Sequence, residues 1–418
     1  MKAITDYVKF NDKNLQKKYE KKRMPMATLY EAYFDGDIDI PGDIYDFLAD
    51  RNLFTSYDLT AKHFQWAATN LLPEVLIHSQ EQDKRIVREH YDRGNDFFGW
   101  FLGEPMVYTS GFYKTEDETL EQCQANKLNL VCQKLQLKPG DTLLDIGCGW
   151  GTLAAHAAKY YGVKSVGITI AKEQTAYGNQ RIADWGVSDS AEVLCMDYRD
   201  IPKLGRKFDK IVSLEMVEHV GVKNLNGYYS LIYDLLEDEG QALIQWTGLR
   251  KGQQRNPTGL DFGTEDLIWG LFMNKYIFPG ADASLALSPM LKYMERANFE
   301  ISTVENISIH YSLTIKAWHD NWLANEADIK AKYGERWFRI YHFFLAWSVL
   351  IAAQGNAACF QVIMNKNLDQ FDRHRWVGQN ILGERSLAEF LAPDNFKNTK
   401  KKKTTKKKTK KKLTAAAE

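Results

Sequence analysis

Several absences narrow this 418-residue chain before any motif is read. Cysteine is scarce and odd in number: Cys123, Cys132, Cys148, Cys195 and Cys359, with no C-x-x-C or similar spacing. That excludes a disulfide scaffold and a cysteine-based metal module; the five read as reduced, buried thiols of an intracellular protein, and no metal site is expected. Long apolar runs are missing too. The oiliest stretch, Phe343 to Ala353, is broken by Ser348 and falls short of the ~20 residues that cross a bilayer. The opening residues, Met1 to Phe10, have no apolar core of the kind a signal peptide carries. The expected location is therefore cytoplasmic, or the cytosolic face of a membrane.

Net charge is absent as well, with 54 Lys and Arg against 54 Asp and Glu. This zero averages two unlike parts. Eleven lysines and a single acid lie between Lys397 and Glu418, leaving 43 basic against 53 acidic residues before them. The acidic body excludes a uniformly basic nucleic-acid binder. The 11 Trp, 21 Tyr and 21 Phe exclude a wholly disordered chain.

What is present divides into four parts. Residues 1–85 read as a helical N-terminal cap, broken at Pro41-Gly42. Residues 86–368 read as the main domain. From Thr142 onward, apolar runs ending in turns alternate with helical patterns: Thr142–Ile146, Val163–Ile170, Val193–Met196, Phe208–Leu214 and Gln241–Gln245 as strands, Leu153–Tyr161 and Glu173–Trp185 as helices. Such alternation predicts an α/β fold of right-handed βαβ units in a doubly wound sheet. Residues 250–300 interrupt it with a polar loop followed by aromatics, an inserted helical lid. Residues 369–396 form a C-terminal extension, and 397–418 a low-complexity, disordered lysine-rich tail.

The most informative stretch is Leu144-Asp145-Ile146-Gly147-Cys148-Gly149-Trp150-Gly151. A buried strand ends in a glycine turn that opens a helix, which lets the backbone approach a ligand closely. The spacing is G-x-G-x-G rather than G-x-G-x-x-G, and no phosphate-binding lysine follows. The turn resembles motif I of the S-adenosylmethionine-dependent methyltransferases, which implies a Rossmann-like class I methyltransferase fold. Asp197, one position past a strand, matches the acid that faces the adenine amino group in that family.

His90-Tyr91-Asp92-Arg93-Gly94-Asn95-Asp96-Phe97-Phe98, Tyr108-Thr109-Ser110-Gly111 and Glu218-His219-Val220-Gly221 add a more specific resemblance, to the cyclopropane fatty acid synthase family, over roughly residues 85 to 368. The resemblance implies a lipid alkene as methyl acceptor. Methylating an alkene creates a carbocation, which needs a dry, aromatic pocket and a base. In that family the base is bicarbonate, held by Cys, Glu, His, the Ile backbone and Tyr. Glu218 and Tyr311 match two of these positions; Ser110, Gln245 and Thr247 replace the Cys, His and Ile. With three of five changed, ring closure to a cyclopropane is placed in doubt, although Ser and Gln still hydrogen-bond an anion.

Long stretches outside the cofactor turn resemble the sphingolipid C-9 methyltransferases: Cys195–Asp200, Glu265–Tyr276, Phe278–Ser284 and Lys332–Trp337. This implies methyl addition at C-9 of a sphingoid base. The resemblance also implies N-terminal membrane-spanning segments, and none is read here; the Lys397–Lys412 tail is expected to supply peripheral contact with an anionic membrane instead. Expected around the cofactor, S-adenosyl-L-methionine, are Tyr108, Thr109, Asp145, Gly147, Gly149, Thr169, Gln174, Asp197 and Tyr198. Expected to line the acceptor site and handle the proton are Glu218, Tyr311, Gln245, Ser110 and His219, with bicarbonate as a possible further ligand. The alternatives are a cyclopropane synthase acting on unsaturated phospholipid acyl chains, a small-molecule N-methyltransferase, and a non-catalytic lipid-binding protein. A nucleic-acid methyltransferase recruited by the tail conflicts with the acidic body.

Overall fold

The computed structural model describes residues 3–66, 69, 93–250, 263–282, 284–369 and 374. His90 to Asp92, residues 251–262 of the expected lid, the C-terminal extension beyond Asp369 apart from His374, and the lysine tail lie outside the described residues. Seven strands build the central sheet: β1 Thr142–Ile146, β2 Lys164–Thr169, β3 Ala191–Cys195, β4 Phe208–Leu214, β5 Leu236–Leu249, β6 Phe299–Asn306 and β7 Ala357–Lys366. Their order across the sheet is β6-β7-β5-β4-β1-β2-β3. β1 and β4 are buried along almost their whole length. Helices cover both faces of a doubly wound sheet, so its central strands read as continuous apolar runs rather than alternations.

Helices α1 Asn95–Leu102 and α2 Leu120–Lys134 precede the sheet. A reciprocal capping box starts α2: Gln122 N donates to Thr119 Oγ1 (3.3 Å) and Thr119 N to Gln122 Oε1 (2.9 Å). Helices α3 Thr152–Tyr161, α4 Lys172–Asp184 and α5 Leu225–Leu235 lie between the parallel strands. Helices α6 Thr264–Phe272 and α7 Leu287–Arg296 separate β5 from β6, and α8 Ser308–Ala324, α9 Glu326–Tyr333 and α10 Glu335–Ala353 separate β6 from β7.

The sheet departs from the alternation in one respect. Strands β1 to β5 are parallel, but β7 runs antiparallel to both of its neighbours, β5 and β6. The excursion through α8–α10 begins and ends at the same edge, with Asn306 opposite Phe360, so the chain re-enters the sheet reversed. β5 also extends well beyond the expected Gln241–Gln245 at both ends.

In the N-terminal segment, helix Met26–Asp35 is accompanied by two pairs of two-residue strands, Lys9–Phe10 with Ile38–Asp39 and Met24–Pro25 with Thr55–Ser56. Strands so short carry no readable alternation. The helix buries Leu29, Tyr30, Tyr33 and Phe34 in one aromatic core with α6 and α10. Tyr30 lies 5.1 Å from Phe272 and 6.4 Å from Trp347 between ring centroids, and Phe34 6.0 Å from Phe343. Arg51, almost fully buried, ties this segment to α6 through Glu265 at 2.7 Å. Cys123, Cys132 and Cys359 are buried as expected, whereas Cys148 is half-buried and Cys195 exposed at the end of β3. Among the described residues no helix is long and apolar enough to cross a membrane.

Candidate active site

β1 delivers the chain into the glycine turn. Gly147 has φ 80°, and a Cβ there would sit 2.6 Å from Met216 Cγ, so both conformation and space call for glycine. Gly147 N and Cys148 N both donate to Ile168 O at 3.0 Å, tying the turn to β2. Above the turn lies a cavity of about 160 Å³. All nine residues expected around the cofactor line it: Tyr108, Thr109, Asp145, Gly147, Gly149, Thr169, Gln174, Asp197 and Tyr198. Thr169 Oγ1 donates to Gln174 Oε1 at 2.7 Å, closing the end of β2. Asp197 accepts from the backbone N (3.0 Å), Nε (2.8 Å) and an Nη (2.8 Å) of Arg199, which fixes its carboxylate at the rim. A glycine turn open at Gly149, with buried carboxylates at two strand ends, fits a nucleoside-bearing sulfonium cofactor.

The sequence reading missed Lys127. It lies on the core face of α2, is fully buried, and donates from Nζ to Thr109 Oγ1 at 2.7 Å. Burial pulls its pKa down to about 8, against the pull of Glu215 and Asp145. Burial pushes Asp145 up to about 7, offset in part by Lys127. The signal was present in Cys123-x-x-x-Lys127-Leu128-x-x-Val131, where a lysine occupies an apolar position of the helical repeat.

A second cavity, about 150 Å³, shares Tyr108, Glu215 and His219 with the first. Its wall is mostly aromatic and aliphatic, with Trp269, Phe278, Trp318 and Phe344 among its lining. Tyr108 stands at the junction, its ring centroid 5.5 Å from both Phe278 and Trp318. Glu218, His219 and Tyr311 line this cavity, as does Thr247.

Ser110 and Gln245 do not line it. Both are completely buried behind the wall, where they hold Glu215, a residue the sequence reading passed over. Glu215 Oε1 accepts from Ser110 N (3.1 Å), Gln245 Nε2 (2.6 Å) and Cys359 Sγ (3.7 Å); Oε2 accepts from Tyr311 O–H (2.6 Å). The Ser110 hydroxyl turns away, donating to Gly111 O at 3.1 Å. Gln245 is itself oriented by Gln361 Nε2, which donates to its Oε1 at 2.8 Å, and Gln361 in turn accepts from Lys134. Burial raises the Glu215 pKa, while these donors and Lys127 hold it back. Its backbone sits at φ +52°, a left-handed conformation that costs a non-glycine residue about 1–3 kcal/mol and collects at functional sites. An acid directly after the apolar strand β4, at the carboxyl end of a doubly wound sheet, was the available signal.

Glu218 is separate. Its Oε1 accepts from Thr247 N at 2.7 Å, and its Oε2 is buried without a partner. Burial first, then repulsion from Glu215, pushes its pKa up to about 8. The five positions equated with bicarbonate ligands thus split: three turn their donors to Glu215, and the Thr247 backbone to Glu218. Bicarbonate does not fit this set, because Ser110, Gln245 and Tyr311 direct their donors to Glu215, whose carboxylate already places an anion there.

The model of the mycolic acid cyclopropane synthetase family matches residues 78–362. The sphingolipid C9-methyltransferase of Komagataella phaffii is 46% identical over 386 residues, covering 90% of this chain and 77% of that protein. A probable fatty acid methyltransferase of Pseudomonas putida is 32% identical over 82% of each chain. Among solved structures, the mycolic acid cyclopropane synthase CmaA1 complexed with SAH and CTAB superposes with TM-score 0.64 at 27% identity, over 70% of this chain and all of that one.

Proposed function

This chain belongs to the mycolic acid cyclopropane synthetase family and is an S-adenosylmethionine-dependent methyltransferase, and we propose that it adds a methyl group at C-9 of a sphingoid base. The observation that carries the reading is the junction at Tyr108, Glu215 and His219, where a polar cofactor cavity opens onto an aromatic one. S-adenosylmethionine supplies an electrophilic methyl when bound. The glycine turn, Asp145, Gln174 and Asp197 hold and orient it. Tyr108, Phe278 and Trp318 exclude water from the acceptor and present aromatic faces to the positive charge that develops on it.

The likeness, over most of the chain, to proteins named sphingolipid C9-methyltransferases supports a sphingolipid. The tail from Lys397 is assigned to anionic membrane contact at the cytosolic face, bringing the acidic body to its lipid.

Lipid mass spectrometry on cells expressing the chain tests this. A gain of one CH₂ on sphingoid bases, with an intact double bond, is expected. The same gain confined to phospholipid acyl chains would transfer the assignment to a cyclopropane or fatty-acid activity.

A further inference from the structure

We propose that the Glu215 carboxylate is the base that removes the proton after methyl transfer, occupying the place a diffusible anion would otherwise take. The inference rests on the lipid-alkene reading above and concerns a residue which that reading leaves without a chemical role.

Four observations carry it. Glu215 lines both cavities, so its carboxylate reaches the point where donor and acceptor meet. Ser110 and Gln245 do not touch the acceptor cavity, and with Tyr311 they direct their donors at one group, the Glu215 carboxylate. The load is uneven: Oε1 takes three donors and Oε2 one, which leaves lone-pair capacity on Oε2, the oxygen bonded to Tyr311 of the cavity wall. Finally, the strained backbone at Glu215 is held by its own N–H, which donates to Gln245 O at 2.8 Å, so the residue is fixed by the strand beside it. A fixed base needs such over-determination.

The proton balance is simple. The acceptor's C-9 gains the methyl, and C-8 is left electron-deficient. The C-9–H bond then breaks, and its electron pair restores the C-8=C-9 double bond. The proton passes to Glu215 Oε2, turning the carboxylate into an acid that re-ionises to solvent once product leaves. Tyr311 O–H and Gln245 Nε2 stabilise the anionic form before the transfer. Glu218 is the weaker candidate. Its burial keeps it protonated at neutral pH, and its one bonded oxygen faces the Thr247 backbone.

The test uses Glu215→Gln and Glu215→Gly in the full chain, with whichever lipid alkene the wild type methylates. S-adenosylhomocysteine affinity, measured by calorimetry, should stay within about threefold of wild type in both variants. Glu215→Gln should lose at least 100-fold in product formation. Wild-type turnover should be unchanged in bicarbonate-free buffer, whereas Glu215→Gly should regain activity when bicarbonate is added. Carbon-13 bicarbonate should show exchange broadening with Glu215→Gly and none with wild type. Wild-type-like turnover by Glu215→Gln, or loss of wild-type activity on bicarbonate removal, would overturn the proposal. A wild type that methylates no lipid alkene would instead overturn the reading beneath it.

Discussion

Glu218 shows how burial sets a charge state at a single residue. Its carboxyl, ordinarily near 4.5, titrates at about 8 because the cavity wall denies it water and Glu215 repels its anion. Between these two values the folded chain keeps a proton that the unfolded chain releases. Stability therefore falls as pH rises through the window, and the penalty is complete above pH 8. Glu218→Gln should match wild-type thermal stability near pH 4, below the unfolded value, and exceed it by roughly 2–4 °C at pH 9, read by differential scanning fluorimetry. A constant difference across pH would contradict the raised value. Lys127 is the opposite case, a buried cation beside two acids. Lys127→Met leaves Asp145 and Glu215 without it and should cost about 3–5 kcal/mol in denaturant unfolding, with weakened S-adenosylhomocysteine binding.

At the scale of elements, strand ends do the positioning. β1, β2 and β3 deliver the glycine turn, Thr169 and Asp197 to one cavity, while β4 delivers Glu215 to its junction with the next and β5 sets Gln245 behind the wall to hold it. Gly147→Ala should abolish cofactor binding, since its Cβ would strike Met216 and its φ would be strained. Gly186→Ala offers the control: its φ is also positive, but nothing lies within 4 Å, so binding should survive a small loss of stability. Most of this layer was legible in sequence, because buried parallel strands and glycine turns leave local signatures. Two parts were not. The direction of β7 depends on a return path through three helices, which no local pattern encodes. The partners of Gln245 depend on side chains about 30 and 116 positions away, Glu215 and Gln361. The sequence could name Ser110, Gln245 and Tyr311 as a group; only the fold reveals what they surround.

For the whole molecule, the N-terminal segment is part of the catalytic body. Its aromatic face is shared with α6 and α10, and α10 supplies Phe344, Ser348 and Ile351 to the acceptor cavity. Removing residues 1–60 should therefore leave an aggregating chain rather than a smaller enzyme, visible as loss of a cooperative unfolding transition. Deleting Lys397–Glu418 should leave turnover on detergent-solubilised lipid unchanged. Sedimentation with anionic vesicles should fall, with the wild-type advantage shrinking as salt rises. Equal sedimentation of both forms would remove the tail from membrane contact.

The reversed strand β7 carries one more consequence. It holds Cys359 and Gln361, which complete the bonding around Glu215 and Gln245, and it is inserted between two strands made earlier. A ribosome releases the amino-terminal part first, and domains tend to fold in that order. During synthesis the cofactor cavity, built from residues 106–219, emerges well before residues 357–366. The residues of the donor cavity therefore emerge while the proton acceptor is still unsupported, and chemistry waits for β7 to be translated.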